Sequence, residues 1–234
     1  MCIQIRILGD PGSARYTANN MTASHRTGRR RMTRDESREQ TRQRLLSAAA
    51  RVIARKGFGA TTVGDVATRA GYTRGAFYSN FRSRDELLLE LLRQEHAAMQ
   101  AELASVFAGA GSGGEPLEQR LLDFYSQLYR DNDSFLLWTE AKLLAVRNKR
   151  FRAGLTALLR EDRARIAAFV AAYRSASGIT TSSTPPELAI ACMVMVDGMR
   201  FLHLTDPAEV GDAVAERVLS TFFEKMVLGR AAES

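Results

Sequence analysis

Residues 62–86 read TVGDVATRAGYTRGAFYSNFRSRDE, and the spacing of caps and apolar residues in this stretch decides the fold. Thr62 stands three residues before Asp65 and just ahead of an apolar run, a weaker form of the capping box that predicts a helix start. Val63, Val66, Ala67 and Ala70 then share one face at helical spacing. Gly71 suits the left-handed conformation of a sharp helix stop. Thr73 can cap a second helix of about two turns whose inward side is Ala76, Phe77 and Phe81. Ser83 and Glu86 make a better capping box and open a third helix at once.

The second helix turns Arg74, Gly75, Tyr78 and Asn80 outward, and Thr73 at its start joins them as a DNA-binding candidate. Arg can donate two hydrogen bonds to guanine O6 and N7 in the major groove, and Asn can pair similarly with adenine. A Tyr hydroxyl commonly reaches a phosphate oxygen. Gly75 and Ala76 let such a helix lie close to the bases. Arg84, in the first turn of the next helix, suits a phosphate contact; a cation is mildly unfavourable at a helix N-terminus, which points to a role beyond stability. The pattern predicts a helix-turn-helix that reads DNA. A plain helical hairpin with a solvated polar face is the bland alternative.

Charge separates the two. Residues 1–93 hold 18 Lys/Arg and 8 Asp/Glu, net +10, whereas residues 94–234 hold 15 and 18, net −3. The basic charge thus lies on the segment carrying the helix pair, as a polyanion partner requires. No continuous cationic amphipathic helix supports a membrane surface instead, and no run of about 18 apolar residues predicts a span. The start, MCIQIRILGDPGSA, lacks the basic opening and apolar length of a signal peptide. Cys2 and Cys192 suggest neither a disulfide framework nor a metal motif. The compartment implied is the cytoplasm.

Along the chain, residues 1–34 read as a basic tail without apolar periodicity. Arg29, Arg30 and Arg31 are either a phosphate-binding arm or a solubilising run, or they precede the natural start if that is Met21 or Met32. A helix from about Asp35 to Arg55 carries Leu45, Leu46, Ala49, Val52 and Ile53 inward. Lys56, Gly57, Phe58 and Gly59 end it, with Phe58 plugging the core of a DNA-binding domain over 35–82. The helix from Ser83 is expected to run to Phe107 and to bridge into a larger helical domain over 83–234. There, GAGSGGEP (109–116) is a loop and 117–130 a helix; Asp133 caps the next, to Val146, and a long helix spans 148–175. After a loop at 175–186, Thr184 and Pro185 open a helix apolar nearly all round, expected to be buried on both sides. Asp206 to Glu209 reads as the start of the last helix, which repeats Val210, Val214, Val218, Leu219, Phe222, Phe223 and Met226. No strand pattern survives, so the fold class is all-α.

Residues 37–92, from SREQTRQRLLSAAARVIARKGFGA through the stretch above, resemble the N-terminal domain of the TetR family of transcriptional regulators. The remainder is similar only in helix count and loose patterns such as Asp197-Gly198. The resemblance implies a two-fold dimer through the last two long helices, with the 73–81 helix of each subunit in a major groove of a roughly palindromic operator. It puts Tyr78, Arg84 and Thr62 on phosphates and Arg74, Gly75 and Ala76 on bases, with Asn80 a further candidate. The family more often has Lys where this chain has Arg84. A ligand that prefers another separation of the reading helices would release DNA, the 83–107 helix acting as the lever.

The candidate effector pocket comprises Phe124, Leu128, Trp138, Leu143, Phe169, Tyr173, Met193 and Asp197, for a small and largely apolar molecule. Each of these could equally be packed core, Trp138 included. Met193, Met195 and Met199 could form an adaptable apolar wall. A carboxylate on an apolar helix needs a partner; for Asp197 this is Arg200, His203, the second subunit or a cationic ligand. A DNA-binding protein without an effector, controlled by a protein partner or acting structurally, is the alternative. Repression and activation read alike. No cofactor, metal or catalysis is implied: His25, His96 and His203 are isolated, and neither a phosphate loop nor a nucleophile–His arrangement is present.

Overall fold

Thr33 caps the first described helix. Its hydroxyl accepts the Glu36 N–H and its own N–H donates to the Glu36 carboxylate at 2.8 Å, a full capping box. The first helix, α1 (Arg34–Ala60), therefore starts one residue inside the stretch expected to be tail. The chain, described by a computed structural model over residues 33–108, 116, 119–121, 123–124, 132–178, 182–227 and 229, has no strand among those residues. Leu45, Leu46, Ala48, Ala49 and Ile53 form the buried stripe of α1, with Val52 half-buried beside them. At Gly57 the backbone takes φ 79°, breaking the helix where Lys56-Gly57 predicts its end; the turn beyond the kink delivers Phe58 to the core.

Helix α2 (Val63–Ala70) opens on the reciprocal Thr62–Asp65 box and stops at Gly71 with φ 75° and ψ 27°. Lys56 from the end of α1 reaches Asp65 at 2.6 Å. This cation, with the N–H and hydroxyl of Thr62, holds the Asp65 carboxyl far below the ordinary carboxylate range. Helix α3 (Arg74–Tyr78) has five residues and is capped by Thr73; α4 (Arg84–Ala108) follows, its Glu86 N–H accepted by Ser83.

Beyond α4 come α5 (Asn132–Arg147), α6 (Lys149–Ser177), α7 (Pro185–Thr205) and α8 (Asp212–Phe222), which widens into a π turn at Phe223–Val227. Asn148 caps α6 by accepting the N–H groups of Arg150 and Phe151. Thr184 and Glu187 form the capping box of α7, with Pro in its first turn as expected. The Thr184 donors also keep the Glu187 carboxyl below its usual range. The last helix departs from expectation. Residues 207–210 form a turn, held by a 2.8 Å contact between His203 Nδ1 and the Val210 carbonyl, and α8 begins only after Gly211. The acidic start signal at 206–209 is thus spent on the turn rather than on the helix. The tail ahead of Thr33 with Cys2, the 109–115 loop, much of the expected 117–130 helix and Leu128 lie outside the described residues.

Two apolar cores hold these helices. The first joins Leu45, Ile53, Phe77, Phe81, Leu88 and Leu92 to Leu137, Ala141, Phe151 and Leu155 of α5 and α6, so it crosses the boundary expected between residues 82 and 83. The second joins Val170 of α6 to Leu188, Cys192, Val196 and Met199 of α7 and to Ala215, Leu219 and Phe223. Between them on α6 lies a polar layer: His96 of α4, 4% exposed, stands 3.2 Å from Asp162 and 3.6 Å from Glu161. Burial raises the Asp162 carboxyl, while His96 and Arg165 pull the other way.

Helix α7 is not buried on both sides. Ile190, Val194, Phe201 and Leu202 are exposed, Val194 at 65%. By length and composition this helix could cross a bilayer, yet it packs into the second core and buries Arg200. Cys192 is a buried thiol pushed up to about 12 by desolvation, hence protonated at neutral pH. Arg174 donates to the carbonyls of Ser183 (2.8 Å) and Met226 (3.1 Å), tying the end of α6 to the C-terminal turn.

The depressed Asp65 carboxyl makes stability pH-dependent with a definite sign. Its contribution is complete above the unfolded value near ~3.9 and is lost as pH falls below it. Asp65→Asn keeps an acceptor but not the charge. Thermal unfolding followed by circular dichroism should place the wild type above Asp65→Asn at pH 7, with the gap narrowing below pH ~4; a gap independent of pH would show that the Lys56–Asp65 charge pair is idle.

Candidate nucleic-acid interface

Phe77 and Phe81 fix the orientation of α3: both are fully buried, with ring centroids 5.7 Å apart. On the opposite side Thr73, Arg74 and Gly75 are exposed and Tyr78 is 53% exposed, braced edge-on against Phe77 at 5.5 Å. Thr73 itself is occupied in part, accepting the Ala76 N–H at 3.3 Å. Arg74 makes no hydrogen bond or ion pair among the described residues, so its guanidinium remains available to an outside partner. A Cβ on Gly75 would meet only the Thr73 hydroxyl at 3.6 Å, so the missing side chain is not required by packing inside the chain. Ala76 is half-buried behind this face.

Two expected contacts are placed differently. Asn80 is turned back onto α3: its Nδ2 donates to the Ala76 carbonyl at 2.8 Å, so it closes the C-terminus of the helix rather than standing on the open face. Arg84 lies half-buried with its guanidinium 5.2 Å from the Phe58 ring centroid, donating to the carbonyls of Thr61 and Phe58. It caps the end of α1 in this structure, which accounts for a cation in the first turn of α4 without invoking phosphate. Thr62 is exposed, but its hydroxyl donates to Asp65 at 2.6 Å and any phosphate contact would share it.

Sequence reasoning missed Arg38 and Arg42. They lie one turn apart on α1 and reach the far end of α3, donating to the carbonyls of Ser79 (3.2 Å) and Asn80 (3.0 Å). Two arginines at i and i+4 flanking an apolar stripe were the available signal.

The described residues of the expected pocket divide between the two cores and the surface. Trp138 packs against the first core; Phe169 and Tyr173, with centroids 6.0 Å apart, pack against the second. Leu143 is 51% exposed, facing out of the helical body rather than into a cavity. Phe124 is buried and Met193 half-buried. Asp197 is paired with neither Arg200 nor His203: Lys142 of α5 holds it at 2.5 Å, while Arg200 sits 5.3 Å from the Phe135 ring centroid and His203 faces Asp212 at 3.5 Å. Among the described residues no cluster of His, Cys, Asp and Glu is arranged to hold a metal.

Residues 45–91 match the family of bacterial regulatory proteins known as the tetR family. The chain is 41% identical over 66 residues to the HTH-type transcriptional regulator TtgR of Pseudomonas putida, covering 28% of this chain and 31% of that protein. It is 27% identical over 110 residues to the HTH-type transcriptional repressor KstR2 of Rhodococcus jostii, covering 47% and 54%. The chain therefore spans about a third to a half of these relatives' length. In three dimensions it is similar to a chain from Saccharomonospora viridis, described as a transcriptional regulator and solved in complex with choline: TM-score 0.69 at 20% identity, covering 82% of this chain and 100% of that one.

Arg84 separates the two roles cleanly. Arg84→Ala should lower stability by about 1–3 kcal/mol, because it strands buried carbonyls at the end of α1. In a salt titration of DNA binding, the slope of log K against log salt should stay unchanged; a slope shallower by about one would restore Arg84 to the phosphate contacts.

Proposed function

We propose that this chain, whose residues 45–91 match the tetR family of bacterial regulatory proteins, is a DNA-binding transcriptional regulator acting as a dimeric repressor. The single observation that carries the reading is the uncommitted Arg74 on the open face of a short helix whose every other side is anchored. Arg74 would read a guanine, Gly75 and Thr73 would let the helix approach, and Tyr78 would take a phosphate. The family matched is described as one of bacterial regulatory proteins, which supports regulation over catalysis.

The dimer is supported by the open face of α7. Ile190, Val194 and Phe201 are exposed along it, and a Cβ on Gly198 would meet nothing within 4 Å, so a second helix can approach closely there. Val218 and Met226 extend the apolar surface onto the last helix and its π turn. A two-fold pairing of these surfaces would set two α3 helices on half-sites one duplex turn apart.

A small, largely apolar effector fits the second half better than a cation at Asp197, because Lys142 already neutralises that carboxylate. Phe124, Phe169, Tyr173 and Met193 would supply the apolar contacts. The reading without an effector keeps the same DNA interface and is favoured by the division of Trp138, Phe169 and Tyr173 between two packed cores.

Gel shift on the DNA upstream of the chain's own gene should show binding that weakens steeply with salt; no binding at low salt would refute the proposal. Arg74→Ala should cost about 1–3 kcal/mol and relax preference at one base pair. Val194→Glu should convert the dimer to a folded monomer by light scattering and abolish two-half-site binding, and a Val194→Glu dimer would place the interface elsewhere.

A further inference from the structure

The recognition helix ends in a set of carbonyls that α3 cannot satisfy alone, and their acceptance can be followed atom by atom. Gly75 O receives the Ser79 N–H and hydroxyl, each at 3.0 Å. Phe77 O receives the Asn80 and Phe81 N–H groups at 2.9 Å, and Ala76 O the Asn80 carboxamide. The last two, Ser79 O and Asn80 O, go to Arg38 and Arg42 of α1. Arg42 does more than cap. Its other guanidinium nitrogen lies 3.2 Å from Glu90 of α4, and its charge sits 4.4 Å from the Phe81 ring centroid. Glu90 is in turn held by Arg93, and Gln43 of α1 meets Gln94 of α4 at 3.0 Å.

We propose that Arg42 is a positioning residue: it sets the angle of the recognition helix against α4, through one guanidinium shared by the Asn80 carbonyl, the Phe81 ring and the Glu90 carboxylate. The inference rests on the DNA-binding reading for its consequence, though not for its geometry. A planar guanidinium holds fixed donors for two partners in its plane while its face lies on a ring, an arrangement that a rotating ammonium does not pre-organise. Arg42 is half-buried and committed, unlike Arg74, so it acts on DNA only through α3. Any displacement of α4 is then passed to the carboxyl end of α3 through Glu90 rather than through the apolar core alone.

Two readouts test this on the full-length protein. In the free protein, hydrogen exchange of a peptide covering residues 74–81 should accelerate about tenfold in Arg42→Gln, while a peptide covering residues 45–53 is unchanged. Arg42→Lys should rescue only part of the protection, and Glu90→Gln should cost about two- to fivefold. For DNA, fluorescence anisotropy compares the duplex upstream of the gene with a shuffled duplex of the same length. Arg42→Gln should lower the ratio of the two affinities about tenfold and leave the shuffled duplex, with its salt slope, as in the wild type. Unchanged exchange over 74–81 in Arg42→Gln overturns the inference, as does an equal loss on both duplexes with a shallower salt slope, which would make Arg42 a phosphate contact. If Arg42→Gln does not fold, Arg42→Lys and Glu90→Gln carry the same exchange measurement. A wild type that does not discriminate between the duplexes would sink the DNA-reading proposal, and the exchange arm would still decide Arg42.

Discussion

A five-residue helix cannot hold itself. Nucleation fixes several residues for one hydrogen bond, so a helix as short as α3 exists only where its surroundings impose it. Everything else in the N-terminal half answers that constraint. Phe77 and Phe81 supply apolar anchorage on one side, worth about 1.5–3 kcal/mol each by burial. Thr73 closes the start, and Asn80, Arg38 and Arg42 close the end. What remains unclaimed is the outer face, and rigidity there is what lets a side chain such as Arg74 meet a partner without a further ordering cost.

That anchorage reaches beyond the three-helix unit. The core that buries Phe77 continues into Phe151 and Leu155 of α6, and Asn148, which caps α6, also donates to Asp85 in the first turn of α4 at 2.9 Å. A Cβ added to Gly154 would run into the Leu89 side chain, so α4 and α6 meet at close range there. The boundary drawn from the sequence at residues 82 and 83 is not a break in packing.

Local patterns were legible in the sequence: the Thr62 box, the cap at Thr184, the left-handed stop at Gly71, the helix break at Lys56-Gly57 and the buried stripe of α1. These signals depend on neighbours within four positions, where spacing alone carries the physics. Arg84 and Asp197 are held by partners far along the chain. Arg84 finds carbonyls 23 and 26 residues away, and Asp197 finds Lys142 across 55 residues. A lone charge on a helix announces only that it needs a partner. Asn80 failed for another reason: its spacing fits an outward position, yet a carboxamide at a helix end is drawn to the nearest free carbonyl. Leu143 and the open side of α7 were misread because an apolar residue left exposed on a helix has the same sequence signature as one facing a core.

The placement of polar groups along α4 decides where the fold can yield. Its first half is locked into the apolar core at Leu87, Leu88, Leu91 and Leu92, where sliding would open cavities costing several kcal/mol, roughly 2–5 per large side chain. Its second half meets α6 through His96, Asp162 and Glu161, partners that can exchange one another, or water, without opening a void. On the proposed reading, a displacement of the helical bundle would be taken up at the far end of α4 more readily than at its near end, and the Arg42–Glu90 tie at the rim of the core would pass the resulting tilt to the end of α3.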